Sequence, residues 1–143
     1  MRAIALSAVL VCVFAAGLRA DAESEVNNVV ASLTAALTEV DVPEFMDAFD
    51  KNMPGYEQLK IGIAALVNQA EVSSSVETIK NEGNDAKRAV DLDWYLEVRS
   101  LVQDGPIVHR RELVHCELEK NKKRWKIVSI APLDFFAPAK LAP

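Results

Sequence analysis

Cysteine is almost absent from this chain. Cys12 and Cys116 are the two thiols in 143 residues, too far apart in context to suggest a disulfide framework, so a folded core has to hold the domain together. Histidine is as scarce, with His109 and His115 alone. They stand six positions apart on one predicted strand, too distant to share one metal ion. There is no glycine-rich phosphate loop, no nucleophile elbow, no clustered metal ligands and no Asn-x-Ser/Thr acceptor. No cofactor is implied. Basic residues are outnumbered, sixteen to twenty-one acids, for a formal charge of −5. Such a balance repels phosphate backbones and argues against nucleic acid as a partner.

The one long apolar run lies at the start. Arg2 precedes an acid-free stretch from Ala3 to Leu18, followed by small residues at Ala20 and Ala22. This pattern predicts a signal peptide over residues 1–20, cut after Ala20 or Ala22, with a single domain over 21–143. The expected location is secreted or periplasmic, with no membrane attachment after cleavage. Removing Met1–Ala20 takes away Arg2, Arg19 and Cys12 but no acid, leaving a charge of −7 and one thiol.

What remains divides into a helical half and a strand half. Val26, Val29, Val30, Leu33, Leu37 and Val40 recur at steps of three and four, one face of a helix. Phe45, Met46 and Phe49 make a short second stripe after Pro43, and Tyr56, Leu59, Ile63, Leu66, Val67 and Ala70 a third. Beyond Glu71 the period falls to two. Val72–Thr78 reads as a strand, "NEGND" as a turn, and Val90–Val98 as a long strand with its even positions apolar. "QDGP" turns the chain again, and Ile107–Lys120 and Arg124–Ile130 complete a meander. The predicted class is α+β: three N-terminal helices in the concave side of a curved, mostly antiparallel sheet of about four strands.

The stretch "KNKKRWK", Lys120–Lys126, is the one basic cluster. A two-residue loop at Asn121-Lys122 pairs Glu119 with Arg124, Glu117 with Lys126, Leu118 with Trp125 and Cys116 with Ile127. Acids then meet bases on one face and apolar groups share the other. The cluster is read as an exposed hairpin tip rather than a nucleic-acid grip, with Trp125 and Cys116 in the core.

The order of three helices and four strands, closed by "RWKIVSIAPLDFF", resembles the nuclear transport factor 2-like superfamily, the cystatin-like cones that include SnoaL-like and ketosteroid-isomerase-like proteins. "PEFMDAFDKNMPGYEQL", "VSSS" and "PLDFFAP" resemble exported bacterial members of unassigned activity. The resemblance implies a cone with a pocket and, commonly, a homodimer through the outer sheet face. It does not imply a reaction. Enzymes of that superfamily use an inward-facing acid, or a His–Asp pair, with a hydrogen-bond donor beside it.

Strand alternation puts Asp91, Asp93 and Tyr95 on the outer face. On the inner face of the next strand, Arg110 and Glu112 interrupt an apolar row of Val108, Val114, Cys116 and Leu118. Residues two apart on a strand are about 7 Å apart, so the two form an ion pair at the cone mouth, or Arg110 presents itself to an anion, or Glu112 serves as a catalytic acid. With Trp94, they are the candidate ligand-binding residues, and Glu112 is the sole catalytic candidate. The expected function is a non-catalytic small-molecule-binding or protein-interaction domain. Its expected ligand is a small apolar molecule with a negative group. The alternative is a lyase or isomerase of the ketosteroid isomerase or dehydratase type.

Overall fold

The structure is a computed structural model that describes residues 10–140, with side chains from residue 21 onward. The first nine residues of the expected signal peptide lie outside this range. Helix α1 runs Leu10–Thr38, α2 Val42–Asp47 and α3 Tyr56–Gln69. Strands β1 (Ala70–Gly83), β2 (Lys87–Ser100), β3 (Ile107–Asn121) and β4 (Arg124–Ala131) form one antiparallel sheet in sequential order. After a cis Ala131–Pro132 bond, a 3-10 turn over Leu133–Phe136 closes the domain. Among the described residues, no helix is long and apolar enough to cross a membrane.

Three helices against one curved sheet confirm the α+β expectation, and the stripes read from sequence form the contact. Val26, Val30, Leu33 and Leu37 of α1 are buried, as are Leu59, Ile63, Leu66 and Val67 of α3. Val40, assigned to the first stripe, is instead half exposed with φ 60°, because the helix ends at Thr38 and Val40 sits in the turn beyond. Asp41 then caps α2 by accepting from the Glu44 N–H at 3.1 Å. All the even positions of β2 from Val90 to Val98 are buried, and the odd ones stay half-buried on the outer face.

The β3–β4 hairpin differs from its expected register by two residues. Asn121 pairs with Arg124, Lys120 with Trp125, Glu119 with Lys126 and Leu118 with Ile127. The loop is Lys122-Lys123, with Lys122 rather than Asn121 taking the positive φ of 60°. A shift of two keeps each residue on its face, so Trp125 and Cys116 remain in the core. The predicted acid–base pairs do not survive it. Arg124 and Lys126 reach Asp47 of α2 instead, at 2.5 and 3.6 Å. Between Glu117 and Leu118 the register slips once more, leaving Val128 unpaired and turning both Ile127 and Ile130 inward.

Candidate functional site

The space between helices and sheet is filled by the protein's own aromatic rings. Phe136 meets Trp94 edge-on at 5.0 Å between ring centres, Phe135 at 5.1 Å and Phe45 at 5.8 Å. Phe45 in turn packs on Phe49. Trp94 is fully buried, and its indole N–H donates to the Ser74 hydroxyl at 2.7 Å. The ring read from sequence as a pocket wall is thus a sealed core residue.

Arg110 lies on the inner side of β3, as strand alternation predicts, and is half-buried. Its Nη1 donates to the carbonyl oxygens of Phe135, at 2.8 Å, and Ala137, at 2.6 Å. Burial pulls the guanidinium below the ordinary arginine range, with Asp134 acting against the shift. Arg110 therefore clamps the closing turn that carries Phe135 and Phe136 into the core. Glu112 is exposed, and among the described residues no ion pair joins it to Arg110. The expected Arg110–Glu112 pair is replaced by a charge-to-backbone clamp. Glu112 escapes burial because β4 ends opposite His115, leaving that flank of β3 open. Trp94 and Glu112 are register partners, but one is enclosed and the other is in water.

Among the described residues Arg88 is the one charged side chain in the buried class, and it braces the β1–β2 turn through Asn81 and Asn84. No aspartate, glutamate or histidine joins it inside. The Cys116 thiol is pushed up to about 12 by burial, reinforced by Asp91, and is not a nucleophile at neutral pH.

Polar chemistry lies on the outer sheet face. Arg111 grips Asp93 with two hydrogen bonds of 3.0 and 2.7 Å, which hold the Asp93 carboxyl below its usual range. His115 Nδ1 meets Asp91 at 2.6 Å, and the Tyr95 hydroxyl bonds His109 Nδ1. These groups satisfy one another across the strands, and Leu113, 60% exposed, stands among them. A separate cleft of about 570 Å³ opens between α2, the α2–α3 loop and the hairpin, with Met46, Phe49 and Tyr56 on its walls and Lys51 and Lys60 at its rim. Arg110, Glu112 and Trp94 line neither this cleft nor two others, one around Leu101–Gly105 and one around Trp125.

No family model matches the chain, and no curated protein matches its sequence. Solved structures do. A conserved protein from Planctomyces limnophilus superposes with a TM-score of 0.72 at 10% identity, covering 78% of this chain and 94% of that one. A type 2 hexachlorocyclohexane dehydrochlorinase gives 0.61 at 8% identity, covering 75% of this chain and 80% of its own. A nuclear transport factor 2-like superfamily protein from Salmonella enterica serovar Typhimurium gives 0.62 at 11% identity, covering 85% and 94%. At these identities the likeness is one of architecture, and this chain has the nuclear transport factor 2-like, cystatin-like α+β fold.

Proposed function

We propose that this domain is a non-catalytic protein-interaction module that works outside the cytoplasm. The observation that carries the reading is the filled interior, in which Trp94, Phe135, Phe136 and Phe45 occupy the cone and no acid or histidine accompanies them. An acid–base reaction of the dehydratase or isomerase kind needs a carboxylate or imidazole held in a dry pocket against the substrate. Glu112, the sole sequence candidate, is solvated. A small-molecule carrier needs an enclosed apolar space, and here the side chains of the closing turn take it. Apart from the open cleft beside α2, the groups left to meet a partner lie on the sheet's outer surface and edge, where a homodimer or a second protein can bind. An interaction domain needs no more than such a rigid, internally paired surface.

A ligand screen tests this. Thermal shift is recorded with a panel of steroids, aromatic carboxylates and medium-chain fatty acids, for the wild-type protein and for Phe136→Ala. The wild type is expected to respond to none, whereas the variant opens a void and takes small apolar compounds. Saturable wild-type binding that changes Trp94 fluorescence would overturn the reading.

A further inference from the structure

In β3 the backbone alternates between its two neighbours. The Lys120 N–H donates to the Ala86 carbonyl, and the Ser100 N–H to the Pro106 carbonyl. The β2–β3 register is unbroken between these points. Even-numbered residues of β3 therefore direct both backbone groups to β2, and odd-numbered residues direct theirs away. On that far side β4 pairs only from His115 onward. Ile107, His109, Arg111 and Leu113 thus present four N–H and four C=O groups along one edge, and among the described residues none has a hydrogen-bond partner in the protein.

The other sheet edges differ. The free edge of β1 has a bulge between Thr78 and Lys80, and its unbroken part, Ala70–Thr78, exposes polar side chains alone, Glu71, Ser73, Ser75 and Glu77. The outer edge of β4 is occupied at its middle, where Ile127 bonds Ala48 and Asp50. The β3 edge has no proline and no bulge from Ile107 to Leu113, and its ends carry exposed aliphatics, Ile107 at 42% and Leu113 at 60%. Edges left this way are templates for strand addition.

We propose that this edge is a docking slot for one extended segment of a partner protein, added as a fifth strand. The slot's size disfavours a second copy paired along its whole length. From Ile107 to Leu113 it is about 20 Å long, bounded by the Gln103–Pro106 turn and by Ala131, which lies opposite His115. If a second β3 paired antiparallel over the whole slot, its residue 107 would face Leu113. Its Gly105 would then fall opposite His115, where Ala131 already sits. A free-ended strand of about seven residues fits. Its outward side chains face Ile107, His109, Arg111 and Leu113 in turn, so aliphatic residues suit the ends and acids the middle. The Arg111 side chain remains 70% exposed despite its bond to Asp93. The inference rests on the interaction reading above and names its surface and its partner's chemistry.

The probe is a fluorescein-labelled peptide, Val-Thr-Glu-Thr-Glu-Thr-Val, titrated into the purified protein, with its Glu-to-Lys counterpart as control. Saturable binding is expected, at least tenfold tighter than for the control. In amide NMR spectra the shifts should fall on Ile107, His109, Arg111 and Leu113 and spare Val108, Arg110 and Glu112. Arg111→Pro removes an N–H that points away from β2, so the fold should survive while binding falls at least tenfold. Leu113→Asp, which alters no backbone group, should weaken binding as well. No saturation at millimolar peptide, shifts without the alternation, or binding unchanged by Arg111→Pro overturns the proposal. So does a homodimer that Arg111→Pro dissolves, since a second copy would then fill the slot. A failed peptide alongside a silent ligand screen sinks the edge alone, whereas a wild-type small-molecule ligand sinks the interaction reading.

Discussion

Replacing Arg110 by alanine removes both hydrogen bonds that tie the closing turn to the sheet. A hydrogen bond to a charged group is worth about 1.5–3 kcal/mol when intact. Arg110 is only half-buried, and the freed carbonyls of Phe135 and Ala137 regain some contact with water, so the two bonds together should contribute about 2 kcal/mol rather than their full sum. Arg110→Lys should recover part of that, because both bonds leave the single nitrogen Nη1 and an ammonium can supply two donors, though the lysine chain ends short of that position. Glu112→Ala, which removes an exposed side chain with no ion pair to Arg110, should change stability by no more than about 0.5 kcal/mol. Urea unfolding of the three variants measures the differences. Trp94 fluorescence reports the same event, since its ring contacts both Phe135 and Phe136. Equal losses of about 3 kcal/mol or more in Arg110→Ala and Glu112→Ala would show a buried ion pair and refute the clamp.

Three further outcomes follow from the same geometry. Cys116, with its thiol pushed up to about 12, should resist a thiol reagent at pH 8 in the folded protein and react at once in denaturant; rapid reaction of the native protein would contradict its burial. Asp47 is held below its usual range first by its hydrogen bond to Arg124, so its folded pKa lies under the unfolded value of about 3.9. Its stabilising contribution is present above that value and is lost as the pH falls through the folded pKa, so between pH 6 and 2 the stability of Asp47→Asn should fall less steeply than wild type; identical slopes would remove Asp47 from the account. Exported protein should begin at Asp21 by intact mass, because cleavage after Ala20 keeps Ala22, a core residue 3% exposed; a start at Glu23, or uncleaved chain in the membrane fraction, would contradict this.

Much of the fold was legible because it is written in periodicity. The alternation from Val90 to Val98 assigns β2 and its faces, and the stripes of α1 and α3 assign the helical layer. The hairpin register was not legible, because loops at Asn121-Lys122 and Lys122-Lys123 give the same inward set, and what separates them is Asp47, far away in the chain, drawing Arg124 and Lys126. The site was legible only in part. Alternation put Arg110 on the inner face correctly, but its partners are backbone carbonyls 25 and 27 residues onward, and a carbonyl has no side-chain signature. Glu112 shares the parity of Arg110 yet reaches water, because burial at a sheet edge depends on the length of the neighbouring strand. The open edge itself could have been anticipated: the expected β3, at fourteen residues, was twice as long as the expected β4 at seven, and the surplus had to go unpaired.

If the protein's own side chains close the cone interior, the Trp94 indole N–H should report it. Two indole signals are expected in a proton–nitrogen spectrum, one from Trp94 and one from Trp125, with Phe135→Leu and Trp125→Phe variants assigning them. The Trp94 signal should be displaced by the rings of Phe135 and Phe136. It should be slow to exchange with solvent because of its bond to Ser74, and unmoved by any compound of the ligand panel. A Trp94 signal that exchanges rapidly, or that moves when a small apolar carboxylate is added, would show an open pocket and contradict it.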